Sequence, residues 1–334
     1  MADPETTEVP PTPREKQGIG RWVRLGFGVA GLIGLGALVA SVGPRVILDT
    51  LEPALAWVPL IGALELGRIG SETLATWIAL GEERSKIPRI ALFRATLVGH
   101  AIANLAPAPR VVNETIKGTV VAPHVGVAAA TSAGITMQAA TLSCVGLFSI
   151  PCGIAIHLLG GASVWFWASM IHATSMIATG VAIRAVARAK GLGRWLAKRF
   201  PRLGSTPTDV SEHNARSSVW GFGPTLALFG NRTTQVIQLA IAAHAVGIDT
   251  NFARALAAQG VNLVAAAVGV MVPGGFGTTD TAFTLAAELL GTTVVKATAM
   301  ALLMRCIQFI WLFIGSVFMM IERRRRAAPP TEEK

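Results

Sequence analysis

Six long apolar runs constrain this chain more than any other feature. They lie near 25–42, 61–80, 127–149, 160–183, 220–246 and 294–321. Each could cross a ~30 Å hydrocarbon core at ~1.5 Å per helical residue. In lipid every backbone polar group must be satisfied internally, so such runs specify helices. The expected fold is an all-α integral membrane protein with six full spans. Composition agrees, because 52% of the 334 residues are hydrophobic and only 14% charged, which suits a bilayer better than water.

The net charge of +10 does not imply a nucleic-acid partner. Basic residues cluster at the ends of apolar runs, where they act as topology signals. The tail 1–24, the group Arg84, Lys86, Arg89 and Arg94, the loop 184–216 and the tail 322–334 with Arg323–Arg326 hold most of the positive charge. These stretches are expected on the cytoplasmic side, with both termini there. The connections near 44–59, 151–153 and 247–251 fall outside, and Trp165 and Trp167 fit an outer aromatic belt. Residues 1–24 read as a disordered tail and Leu25–Val42 as an uncleaved first span. Residues 25–321 then form one polytopic membrane domain.

This assignment leaves two segments that begin and end on one side. Residues 95–126 must enter from the cytoplasm and return, and residues 252–293 must do so from the outside. Each carries helix breakers in its middle, LAPAPRVVNE (105–114) and VPGGFGTTD (272–280). Limbs such as 94–106 and 111–122 reach only ~18–20 Å as helix, which favours two re-entrant helical hairpins. The hinge residues are Pro107, Pro109, Pro273, Gly274, Gly275 and Gly277. Pro107 precedes Glu114, and Pro273 precedes Asp280, by the same seven positions. A span, a hairpin and a span thus occur twice with opposite sidedness, at about 61–149 and 220–321, the pattern of an inverted-topology repeat.

Non-helical backbone survives at membrane depth only inside protein or beside a wet cavity, so the two hairpin tips are expected to share a polar centre. Glu65, Arg68 and Glu72 occupy one helical face. An ionised group at a span centre costs about 2.5–3.5 kcal/mol on insertion scales, so this face must point inward. It serves either as an internal ion pair or as a substrate contact, and Arg232 with Gln235 and Arg305 with Gln308 pose the same choice. Glu114, Asp280, Thr278 and Thr279 open the returning helices, where the acids are either caps or coupling groups. Arg110 and Lys117 would offset Glu114 or bind phosphate, with snorkelling to the surface a further option for Lys117. Cys144, Cys152 and Cys306 show no metal or redox spacing and read as packing residues. The histidines show no ligand spacing, and no phosphate-loop pattern occurs. No cofactor, metal or enzymatic activity is expected.

NLAPAPRVVNETIKGTVVAPHVG (104–126) and VPGGFGTTDTAFTLAAELLG (272–291), followed by a last span with Arg305, resemble the paired signatures of a flippase-like membrane family. That family is related to the transmembrane part of lysylphosphatidylglycerol synthases. Val111, Val112 and Asn113 stand where members tend to carry glycine before the first acid, and Asp280 where they carry Glu. The resemblance implies a bacterial inner-membrane flippase or scramblase for a lipid with an anionic or zwitterionic head group. It also admits an accessory of a lipid-modifying enzyme, contacted through the basic 184–202 block, which otherwise reads as an interfacial helix. The residues themselves leave a secondary transporter for a small polar solute equally open. Synthase activity is not expected, since the residues after Arg326 are too few for an aminoacyl-transferase domain.

Overall fold

The computed structural model describes residues 43–103, 109–189, 222–270, 272, 275 and 277–327, with side chains to Ile321, together with Ala40, Val210, Glu212 and Asn214. The expected span 25–42 apart from Ala40, the tail 1–24, residues 328–334, most of the basic loop, and Pro107, Pro273 and Gly274 lie outside them.

The described chain is helical. A short helix α1 (Pro44–Leu51) and a 3-10 turn (Pro53–Trp57) lead into α2 (Val58–Ala79). Proline at the start of each of these elements fills a position whose N–H has no helical partner. A second 3-10 turn (Gly81–Lys86) precedes α3 (Arg89–Ala103) and α4 (Pro109–Val125). Then come α5 (Val127–Gly160), α6 (Val164–Arg188), α7 (Phe222–Ala245), α8 (Phe252–Val268), α9 (Thr278–Leu285) and α10 (Val294–Ala327).

Among the described residues, four segments are long and apolar enough to cross a membrane: Pro44–Ala79, Val127–Gly160, Val164–Arg188 and Val294–Ile321. Helix α7 has comparable length at 24 residues, but Asn231, Arg232, Gln235 and Gln238 dilute its hydropathy. Helices α3, α4 and α8 have 15, 17 and 17 residues, and α9 has eight. Those lengths correspond to ~22, ~26, ~26 and ~12 Å, all short of a bilayer core.

One connection lies elsewhere than the sequence suggests. Pro151–Gly153 is not an outer turn but the interior of α5, which runs unbroken for 34 residues. The turn comes at Gly161, whose φ of +66° suits glycine. Proline removes one helical hydrogen bond, and here the apolar sequence resumes at Ile154 while α6 packs alongside, so tertiary burial overrides the breaker. That packing is close. A Cβ added at Gly146 would lie 2.7 Å from the Ala173 carbonyl oxygen, and one at Gly180 2.9 Å from that of Ala139. Small residues of this kind let helices approach where lipid offers no hydrophobic drive.

The centre is the pair α2 and α7, which run antiparallel. Gln238 donates to the Ile61 carbonyl (3.0 Å), Asn231 to that of Arg68 (3.0 Å), and Gly230 faces Ser71. Around this pair the remaining helices pack reciprocally. Helix α3 folds back on α4 and lies against α10, while α8 folds back on α9 and lies against α5. Glycine permits the contact in both places, Gly315 of α10 against Ala101 of α3, and Gly260 of α8 against Cys152 and Ile156 of α5. Helix α6 flanks α5 and also touches α8.

Candidate functional site

Helices α2, α3, α4, α7, α8, α9 and α10 enclose a cavity of about 250 Å³. Two of them present their first turns to it, α4 through Arg110 and α9 through Thr279 and Asp280. The positive end of a helix dipole therefore lies at the cavity from both paired segments.

Asp280 is 1% exposed and carries two roles at once. Its Oδ2 accepts the Gly277 N–H (2.9 Å), which caps α9. Arg305 from α10 grips both carboxylate oxygens, Nε to Oδ1 and Nη2 to Oδ2, each at 3.0 Å. The same guanidinium donates to the Gly275 carbonyl (2.6 Å), to Thr279 Oγ1 and to Gln308 (2.8 Å). Gly275 and Gly277 hold φ of +62° and +77°, a region that only glycine enters without strain. Thr278 and Thr279 donate their hydroxyls to the Gly275 carbonyl (3.0 and 3.2 Å). One arginine thus fixes the break before α9 to the last helix.

Glu65 on α2 is the second buried acid of the cavity. Arg68 Nη1 lies 2.8 and 2.9 Å from its oxygens, His100 Nε2 3.1 Å from Oε1, and Gln238 donates to Oε2 (2.9 Å). Arg232 donates to Gln235 (2.8 Å), which also accepts from Gln259 (3.0 Å). Arg110 also lines this cavity.

Glu72 and Glu114 sit elsewhere. Both surround the ammonium of Lys117, at 3.0 and 2.5 Å, and Thr76 Oγ1 lies 3.3 Å away. Asn113 donates to Glu72 as well. Lys117 is 1% exposed, so it does not snorkel but balances two acids, as burial requires of a charge. Glu114 lines a separate, largely apolar groove of about 540 Å³ between α4, α5 and Ile183 of α6. Asp280 and Glu114 therefore share no cavity, and the first paired segment brings Arg110 to the centre instead.

Of the residues singled out from sequence, Glu65, Arg68, Arg110, Arg232, Gln235, Thr279, Asp280 and Arg305 meet at the cavity. Thr278 only braces the turn, and Pro109 opens α4. Gln308, weighed with Arg305 from the sequence, lines the cavity too, whereas His100 and Gln238 were not singled out as site residues. Gln238 continues the polar face of Asn231 and Gln235 at helical spacing, and His100 interrupts an apolar limb, so both left a signal.

The sequence pattern of the lysylphosphatidylglycerol synthase TM region matches residues 22–315. The chain belongs to that family. It is a membrane protein of a family tied by name to lipid synthesis, and its spans carry a buried polar centre. Comparison with curated proteins and with solved structures found no match.

Proposed function

We propose that this family member moves a polar-headed lipid between leaflets, the head group passing through the central cavity while its chains stay in lipid. The observation that carries the reading is the cavity itself, closed by the first turns of α4 and α9 and lined by four arginines. In this reading α3 with α4, and α8 with α9, are re-entrant hairpins from opposite faces, since none reaches across a ~30 Å core except through breaks. The reciprocal packing of α3 on α10 and α8 on α5, about the antiparallel pair α2 and α7, supports an inverted repeat. A cavity of about 250 Å³ is smaller than a typical ligand pocket of ~300–1,000 Å³, so it suits a head group rather than a whole lipid. With Arg84, Lys86 and Arg323–Arg326 on the same side, both termini face the cytoplasm of a bacterial inner membrane.

The test is reconstitution into liposomes carrying a fluorescent phospholipid whose outer-leaflet fraction a membrane-impermeant reductant bleaches. Wild-type protein should drive bleaching past the half that empty liposomes leave protected, and Asp280→Asn should slow it at least tenfold. Bleaching that stops where empty liposomes stop would overturn the proposal. The cavity's small size also favours a second reading, transport of a small polar solute, for which solute uptake without lipid movement is the signature.

A further inference from the structure

The charges around the cavity do not balance, and the imbalance names a ligand class. Four arginines, Arg68, Arg110, Arg232 and Arg305, line it against two carboxylates, Glu65 and Asp280. Each carboxylate is already taken, Glu65 by Arg68 and Asp280 by Arg305. Among the described residues Arg232 hydrogen-bonds through its side chain to the neutral Gln235 alone. Arg110 makes no hydrogen bond or ion pair with any described residue, and both line the same partly open cavity. The adjoining Glu72, Lys117 and Glu114 group adds at most one surplus negative charge and does not line the cavity, so the excess stays positive. Unpaired guanidinium groups out of bulk water are costly, and a bound anion removes that cost. Helix dipoles from α4 and α9 point the same way.

We infer that the cavity binds a phosphate-bearing group of net negative charge, clamped by Arg110 from the first paired segment and Arg232 from α7. Planar guanidinium forks match phosphate oxygens bidentately. A cationic or net-neutral head group would add its ammonium to a site that already holds surplus positive charge. This rests on the translocation reading for the word head group, but the clamp itself does not.

The experiment measures binding, not transport. The full chain in detergent micelles is titrated calorimetrically with short-chain phosphatidic acid, phosphatidylglycerol, phosphatidylcholine, the cationic ethylphosphatidylcholine, and inorganic pyrophosphate. Phosphatidic acid and phosphatidylglycerol should bind at least tenfold more tightly than the other two lipids. Arg110→Gln and Arg232→Gln should each weaken them by roughly tenfold or more, the worth of one charge-assisted hydrogen bond. Arg110→Lys and Arg232→Lys, which keep the charge but lose the fork, should fall between wild type and the Gln variants, and Arg45→Gln, exposed and not lining the cavity, should keep all of it. Equal binding of phosphatidylcholine, or full affinity in monodisperse Arg110→Gln and Arg232→Gln proteins, overturns the inference. Should pyrophosphate alone bind through these arginines, the clamp stands and the lipid reading falls. Should anionic lipids bind while liposomes show no lipid movement, the clamp again stands and transport falls.

Discussion

Replacing Arg305 by Gln isolates the contact that ties the break before α9 to α10. Asp280 is 1% exposed, and Arg305 is its cationic partner at 3.0 Å. Removing one member of a buried pair leaves an uncompensated charge, which costs about 3–5 kcal/mol. Asp280→Asn is gentler. Its amide oxygen can still accept from Gly277, and Arg305 keeps Gly275, Thr279 and Gln308 as acceptors. The loss there is one charge-assisted interaction, about 1.5–3 kcal/mol. The double variant restores neutrality, so it should be more stable than Arg305→Gln alone, which requires a coupling energy above the cost of Asp280→Asn itself, about 3 kcal/mol. Thermal unfolding in detergent reads these differences, at roughly 2 °C per kcal/mol for a chain of a few hundred residues. Arg305→Gln should therefore lower the midpoint by about 6–10 °C and the double variant by less. If the double variant unfolds at the additive sum of the two single changes, Asp280 and Arg305 are not energetically coupled and the pinning argument is wrong.

Lys117→Met leaves the partly buried Glu72 and Glu114 without their cation and should destabilise by about 3 kcal/mol, the low end for a buried pair. Adding Glu72→Gln should recover part of that, and thermal midpoints in which the double variant is no better would refute it. Gly146→Val forces a side chain against the α6 backbone and should cost about 1–3 kcal/mol in the same assay. Because α5 continues through Pro151, a cysteine at Ile154 on a background lacking Cys144, Cys152 and Cys306 should resist a membrane-impermeant maleimide, whereas one at Ser163 should react. Labelling at position 154 as fast as at 163 would restore the turn to Pro151.

The long helices were legible because length and hydropathy are one-dimensional properties, and α2, α5, α6, α7 and α10 sit close to the runs that announced them, four of the runs being long and apolar enough among the described residues to cross a membrane. Pro151 misled because a breaker's effect depends on neighbours, and α6 supplies packing that the chain alone does not reveal. The ends of α3 at Ala103 and α8 at Val268, and the starts of α4 at Pro109 and α9 at Thr278, were legible from the prolines and glycines near them. The pairing of Glu114 with Asp280 failed for a geometric reason. Both stand seven residues after a proline, but α4 begins at Pro109 and α9 at Thr278, so Glu114 is the sixth residue of its helix and Asp280 the third. Three residues of offset turn a side chain by ~300° and carry it ~4.5 Å along the axis. Arg110, second in α4, is the residue of that helix that lines the same cavity as Asp280. The Glu65 and Arg68 pair was readable from its helical spacing, whereas the attachment of Glu72 to Lys117 spans 45 positions and was not.

The antiparallel contact of α2 with α7 has a mechanical meaning. Gln238 with Ile61 and Glu65, and Asn231 with Arg68, are rungs spaced along that contact. Sliding one helix along the other would shear every rung at once, while tilting about their line of contact strains few of them. The pair is therefore built as a fulcrum, and any opening of the centre falls to the shorter helices that lean against it.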